Sequence, residues 1–205
     1  MKKFFSIFVI LLLSFHVFSQ TQSSSPSQSA FIQGTASFRK GDWVSSVFLL
    51  QRAVTYPENC NPDTYYMLIT AQMYARQFQS AGDSCDKFIK DFPDSQYIPY
   101  IIYHKGRSLF CLGEYEKAVL VLSDFCHQNP KHEMYAAALF WIAECFYVCY
   151  NYSQSLPLYE RIINEFPEDS KASASQYRKE SILQREREEK LLYLLKETGE
   201  EFLAT

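Results

Sequence analysis

Glycine is scarce in this chain, with only 6 among 205 residues. So few glycines leave little material for tight β-hairpin turns or for phosphate-cradling loops, both of which use glycine for backbone at positive φ or for close approach to a ligand. A surplus of charge is also missing, since 20 Lys and Arg face 23 Asp and Glu, for a formal net charge of −3. That balance offers no basic track for nucleic acid and no attraction to an anionic membrane surface. There is no nucleophile elbow, no H-E-x-x-H and no paired C-x-x-C, so the usual constellations for acyl transfer and zinc binding are lacking. His104, His127 and His132 do not stand at ligand spacing from any Cys. The expectation is a chain with no catalytic residues, no cofactor and no metal. What is abundant is aromatic: 17 Phe and 15 Tyr, which suit helices packed through large side chains.

The first residues form one apolar stretch. Lys2 and Lys3 precede a nearly all-apolar run from Phe4 to Phe18, and Val17 and Ser19 supply the small residues of a cleavage site. This pattern reads as a signal peptide over residues 1–19. The alternative, an uncleaved anchor, is disfavoured because the run falls short of the ~20 residues a spanning helix needs, and Ser6, Ser14 and His16 interrupt it. No Cys follows it to take a lipid. The expectation is therefore an exported protein, periplasmic or associated with the outer envelope, soluble after cleavage and touching the membrane only through its transient signal. Residues 20–28, rich in Ser and Gln, are expected as a flexible leader.

From there the sequence repeats. An aromatic after a short polar turn recurs at Trp43, Phe78, Tyr115 and Tyr152, at separations of 35, 37 and 37. Three residues later comes a small side chain: Ser46, Ala81, Ala118 and Ser155. A proline closes each unit at Pro57, Pro93, Pro130 and Pro167, at separations of 36, 37 and 37. Each marker suits a pair of antiparallel helices. The small residue lets two backbones cross closely, the aromatic fills the gap beside the turn, and the proline stops the second helix. Gly41 and Gly113 fall where a first helix ends in a left-handed cap; Gly34 and Gly106 stand seven residues earlier as close-contact positions. First helices are expected near 29–40, 63–76, 97–112 and 132–149, and second helices near 43–55, 78–91, 115–128 and 152–166.

These residues resemble the tetratricopeptide repeat (TPR) family, and the third unit shows the resemblance best, with Gly106, Gly113, Tyr115, Ala118, Leu122, Phe125 and Pro130 in register. The second unit has Ile69 and Arg76 in place of the two glycines, and the fourth has Ala143 and Tyr150. The resemblance covers roughly residues 28–167 and is greatest to TPR proteins of the bacterial cell envelope, of the periplasmic cell-division coordinator and outer-membrane assembly lipoprotein type. It implies an all-α fold: a right-handed TPR-like α-solenoid of about four helix–turn–helix repeats over residues 29–168 (29–58, 62–94, 97–130 and 132–168), plus a long C-terminal helix over 169–205. It also implies a function, that of a non-enzymatic scaffold or adaptor holding a segment of a protein partner in its concave groove, in envelope assembly or in cell-wall and division coordination.

Transferred by repeat position, the concave face contains Phe31, Thr35, Phe38 and Arg39 from the first unit, and Tyr66, Thr70, Met73 and Tyr74 from the second. The third adds Tyr103, Arg107 and Phe110, and the fourth Phe140, Glu144 and Tyr147. Tyr and Phe offer wide contact at low entropic cost; packing between helices is the competing use for about half of these aromatics. The Lys and Asn set that holds a C-terminal carboxylate in chaperone-binding TPR proteins is absent. With only Arg39 and Arg107 basic, an acidic C-terminal tail is not the expected ligand, and a segment with apolar anchors fits better.

Two features remain. After Pro167 one long helix is expected, with Ala172, Ala174 and Tyr177 against the fourth repeat. A fully charged stretch from Gln184 to Lys190 follows, then an apolar one (Leu191, Leu192, Leu194, Leu195 and Phe202). The apolar segment either folds back on the array or pairs with a partner or a second copy. The latter gives an alternative function, a structural spacer that homo-oligomerises through this helix. The six cysteines read chiefly as small buried hydrophobes, one disulfide being the competing reading and Cys60 the residue expected to be most exposed.

Overall fold

The structure is a computed structural model and describes residues 25–204, with side chains as far as residue 198. The expected signal peptide, most of the leader and the Phe202 side chain lie outside that description. Among the described residues there are nine α-helices and no strand: α1 (Pro26–Lys40), α2 (Trp43–Ala53), α3 (Pro62–Tyr74), α4 (Phe78–Asp91), α5 (Ile98–Cys111), α6 (Tyr115–Gln128), α7 (Tyr135–Val148), α8 (Tyr152–Glu165) and α9 (Ala172–Ala204). A single 3₁₀ turn, Pro57–Asn59, links the first two pairs. Helix α1 starts inside the segment expected as leader. Ser25 caps it by accepting from the Gln28 N–H at 3.2 Å, and Pro26 occupies the first helical position, where its missing N–H costs nothing.

Each pair is joined by the same turn. One or two residues past each first helix, one residue lies in the left-handed region: Gly41 (φ 73°), Arg76 (60°), Gly113 (80°) and Tyr150 (59°). In every case its N–H and that of its successor turn back to the helix, as Gly113 to Phe110 O at 3.0 Å and Glu114 to Leu109 O at 2.9 Å. Two repeats thus make this turn without glycine, in a conformation that crowds a Cβ. The second helices end alike too. Phe92, Asn129 and Phe166, each followed by proline, leave the helical region together at φ −133°, −129° and −132°, as the steric demand of the following proline ring requires. Pro157 is the exception, an exposed proline tolerated inside α8.

The small residues carry the crossing. Ser46, Ala81, Ala118 and Ser155 are all fully buried. A Cβ built on Gly106 would lie 2.5 Å from Leu122 Cγ, closer than real contacts allow, so α5 and α6 meet only because that position is bare. Adjacent first helices approach one another more closely than second helices do, which bends the array toward α1, α3, α5 and α7 and makes their row the inner, concave one. The result is a right-handed α-solenoid of four helix pairs closed by a long helix. Its apolar interior forms two clusters that meet at α5: one around Leu50, Ile69, Phe88 and Ile101, the other around Leu122, Phe125, Phe140, Tyr159 and Ile182.

Helix α9 has two parts. Its first turns pack on the fourth pair through Ala174, Ser175, Arg178 and Ile182. Tyr177, expected on that face, points away and is 67% exposed, because the packing face is set by Ser175, Arg178 and Ile182, one residue out of phase with it. From Gln184 to Thr198 every side chain is exposed. The cysteines are all free thiols. Cys85, Cys126 and Cys145 are buried, and burial pushes the Cys126 and Cys145 thiols up to about 11 and about 12, so they stay protonated and inert. Cys149 rather than Cys60 is the exposed one, since it caps α7 at the turn while Cys60 tucks against the N-terminal core.

Candidate functional site

The concave face begins with aromatic stacking. Trp43 lies flat on Tyr74, ring centroids 4.6 Å apart, and meets Phe38 edge-on at 5.6 Å. Arg39 and Tyr74 are exposed, while Phe31, Thr35 and Phe38 are half-buried. In the second pair Tyr66 stacks on Tyr97 at 4.6 Å. Tyr97 in turn donates from its hydroxyl to Asp63 at 2.7 Å. Thr70 and Met73 are buried. At this end, then, the expected groove residues divide between surface and packing.

The middle of the face centres on Trp141, which the repeat positions did not single out. Its Nε1 donates to the Tyr103 hydroxyl at 3.1 Å, and its ring packs on Phe110 at 4.9 Å and edge-on against Phe140 at 5.6 Å. The Arg107 guanidinium stands 5.3 Å from the indole centroid, and the Lys171 Nζ stands 5.2 Å from it. The Arg107 Nε is buried without a hydrogen-bond partner. Burial, with the nearby Arg107 charge, holds the Lys171 ammonium below its ordinary pKa. Behind this row His104 is buried with no partner at Nδ1, and burial pushes its pKa down to about 4.

The far end is closed by an ion pair. Glu144 is only 5% exposed. It accepts from Arg178 Nε at 2.7 Å and Nη2 at 2.8 Å, and from the Tyr159 hydroxyl at 2.6 Å. This fork holds the Arg178 guanidinium charged well above its usual range, and burial together with the carboxylate raises the Tyr159 phenol. Arg178 also lies 4.4 Å over the Tyr147 ring. The structure therefore commits Glu144 and Tyr147 to docking α9. The helix that caps the array is keyed into the inner face, and Lys171, just before it, reaches the groove. The local sequence carries one signal for these partners: Lys171 and Arg178 follow Pro167 by 4 and 11 residues, where a fifth first helix would run.

Of the apolar residues expected on the C-terminal helix, Leu191, Leu192, Leu194 and Leu195 are all about half or more exposed and pack on nothing within the described chain. On the outer side of the array a shallow furrow of about 630 Å³ runs between α6 and α8, floored by Leu139, Ile142 and Phe146. Among the described residues no three His, Cys, Asp or Glu side chains are grouped to hold a metal ion, and no helix is long and apolar enough to cross a membrane.

Comparison with known proteins identifies the repeat. Residues 63–95 and 137–169 each match the family model of the tetratricopeptide repeat. These are the second and fourth pairs, although the third carries both glycines. Solved structures with the same architecture include a tetratricopeptide repeat protein from Parabacteroides merdae, at 22% identity and TM-score 0.58 over 85% of this chain and 67% of that one. MamA from Desulfovibrio magneticus RS-1 matches at 16% identity and TM-score 0.58, over 80% of this chain and 97% of the other. A protein of nearly identical TPR-like repeats from Podospora anserina matches at 17% identity and TM-score 0.59, over 83% and 94%. No curated protein matches the chain in sequence. The chain carries TPR repeats in a TPR-like solenoid.

Proposed function

We propose that this protein is a non-enzymatic scaffold of the bacterial cell envelope that binds a segment of another protein along the concave face of its TPR array. TPR folds are interaction modules, and the observation that carries the reading here is the state of the groove. Its first three repeats present exposed or half-buried Arg39, Tyr66, Tyr74, Arg107 and Phe110, rigid rings and cations of the type that dominate protein interfaces. Export rests on the basic, apolar and small-residue pattern of residues 1–19. The service it performs there is envelope assembly or cell-wall and division coordination. Affinity capture tests the groove: the triple variant Arg39→Glu, Tyr74→Ala, Arg107→Glu should lose the proteins that the unaltered chain retains, while Phe48→Ser on the outer side keeps them. Identical captured sets would refute it. Cell fractionation with N-terminal sequencing of the mature chain tests export, and a cytoplasmic, unprocessed chain would contradict it.

One observation favours a second reading. The exposed leucines at 191, 192, 194 and 195 form an apolar surface of the sort that protein association covers, which fits a spacer that self-associates through α9. Sedimentation of the chain with and without residues 189–205 separates the two, since only the spacer loses mass beyond the deleted residues themselves.

A further inference from the structure

The second half of α9 carries apolar surface that its own array does not reach. Leu191, Leu192, Leu194 and Leu195 are 57, 66, 49 and 60% exposed. Tyr177, two heptads before Leu191, is exposed on the same side of the helix. The array packs on the other side. Ile182 is buried against the fourth pair and precedes Leu191 by two and a half turns, so the two side chains point in opposite directions. Helix α9 runs unbroken from Ala172 to Ala204, with no turn that would fold the leucines back. A membrane surface is a poor match as well. Four Arg and Lys between Gln184 and Thr198 are balanced by four Glu, which leaves no basic surplus for lipid headgroups.

The charges along this stripe select what can lie on it. Glu188, Leu191, Leu195 and Thr198 follow at spacings of three and four, with Leu192 and Leu194 on the two flanks. A second copy laid parallel would set Glu188 against Glu188, like charge on like. Laid antiparallel, in the register that places Leu191 against Leu195, it sets Glu188 against Thr198. The same register brings Leu192 to Leu192 and Leu194 to Leu194, and puts Lys190 level with Glu197 at the outer edge. The stripe thus complements itself in one orientation, which is the property of a two-fold interface. Paired over residues 184–202, two copies cover on the order of 1,000 Å² in total, about what a specific interface needs.

We infer that two copies of this chain join through α9 as an antiparallel pair that crosses at Tyr193. The inference rests on the self-association reading, adds its geometry, and makes it compatible with binding in the groove. Ile182 and its counterpart then stand about 33 Å apart along the paired helices, and each array keeps its concave face open. The assembly is a scaffold with two grooves. It holds two partner segments at once, and a partner that carries the segment twice gains avidity from it.

Sedimentation equilibrium of the full mature chain, from about 1 to about 100 µM, tests the pair. The expected result is a reversible dimer that is lost in Leu191→Asp and in Leu195→Asp. Both leucines are exposed and pack on nothing within the described chain, so retained cooperative melting of the array excludes misfolding as the cause. Thr198→Lys decides the orientation. In the antiparallel pair each new charge lies beside Glu188 of the other copy, and the dimer should tighten roughly fivefold. In a parallel pair the two new charges would meet each other and loosen it. A dimer weakened or left unchanged by Thr198→Lys would overturn the antiparallel pair and leave self-association standing. A chain that stays monomeric at about 100 µM, or a dimer indifferent to both aspartate variants, would overturn the pair and the spacer reading together. Neither result touches binding in the groove.

Discussion

The two ends of the groove are built from the same helix pair and filled in different ways. At the N-terminal end, Phe38, Trp43 and Tyr74 pack ring on ring, Arg39 stands in solvent, and the Thr35 hydroxyl is buried without a partner. From the middle of the groove to its C-terminal end, Arg107, Lys171 and Arg178 lie over Trp141, Phe140 and Tyr147, and a buried carboxylate locks α9 in place. Thr35 and Glu144 occupy matching positions of the first and fourth repeats. One is a neutral group whose loss should matter little, the other a charge whose loss should matter a great deal. Equivalent backbone positions therefore carry unequal energy, and the periodic markers report only the backbone.

The largest break in that comparison should come at the ion pair. Arg178→Ala leaves Glu144 buried with Tyr159 as its one remaining partner. It should cost about 3 kcal/mol, the lower end for breaking a buried pair because the Arg178 side chain is partly exposed. Thr35→Val should change stability by less than about 0.5 kcal/mol, since no hydrogen bond is lost. Urea denaturation of the two variants makes the contrast directly; comparable losses would show that the two ends are energetically alike.

The next contrast is one of pH. His104 lies behind the cation row with its pKa lowered to about 4 by burial, reinforced by the Arg107 charge, while Met67 holds the matching place in the second repeat. Above about pH 6.5, the ordinary His value, both folded and unfolded chains carry it neutral, and its contribution to stability is whole. As pH falls below that, the unfolded chain binds the proton first, so stability drops by about 2–3 kcal/mol on the way to about pH 4. His104→Met should flatten the dependence across that window, measured as denaturation midpoints at several pH values. An unchanged slope would remove His104 as its source.

Smaller effects separate the glycines. Gly106→Ala drives a Cβ into Leu122, which is fully buried and cannot yield. It should destabilise by about 1–2 kcal/mol even after the helix-propensity gain. Gly82→Ala, whose new Cβ would meet only the Ser108 hydroxyl at 3.4 Å, should stabilise by about 0.5–1 kcal/mol. The turns should show changes of the same small size. Arg76→Gly and Tyr150→Gly, at φ 60° and 59°, should each gain about 0.5–1 kcal/mol by relieving the left-handed conformation that Gly41 and Gly113 adopt freely. Melting temperatures of the four variants should rank in this order of sign, and a stabilising Gly106→Ala would show that α5 and α6 can move apart.

These contrasts mark what the residues disclose before any coordinates. Trp43, Phe78, Tyr115 and Tyr152, the small residues three later and the four prolines place all eight paired helices to within a few residues, because each marker answers a local steric need that recurs with the backbone. Gly106 and Gly113 are legible for the same reason. Lys171 and Arg178 were not, because they lie after the last proline, where no later repeat supplies a register to compare. Trp141 was passed over because its ring reaches the groove from a position next to the one assigned to that face. Tyr177 misled by a single residue, about a hundred degrees of helix rotation, which is enough to exchange the packed side for solvent. Interactions between repeats depend on side-chain reach and charge, which a period does not encode.

Partner binding along the concave face is open to direct measurement. The most direct measurement places a photo-crosslinking amino acid singly at Arg39, Tyr74 or Phe110 on the inner row, and at Phe48 or Leu120 on the outer side, in cells of the source organism. Adducts to the same partner protein from the inner positions, and none from the outer ones, are the predicted result. Adducts confined to Phe48 and Leu120, with the inner positions silent, would contradict it.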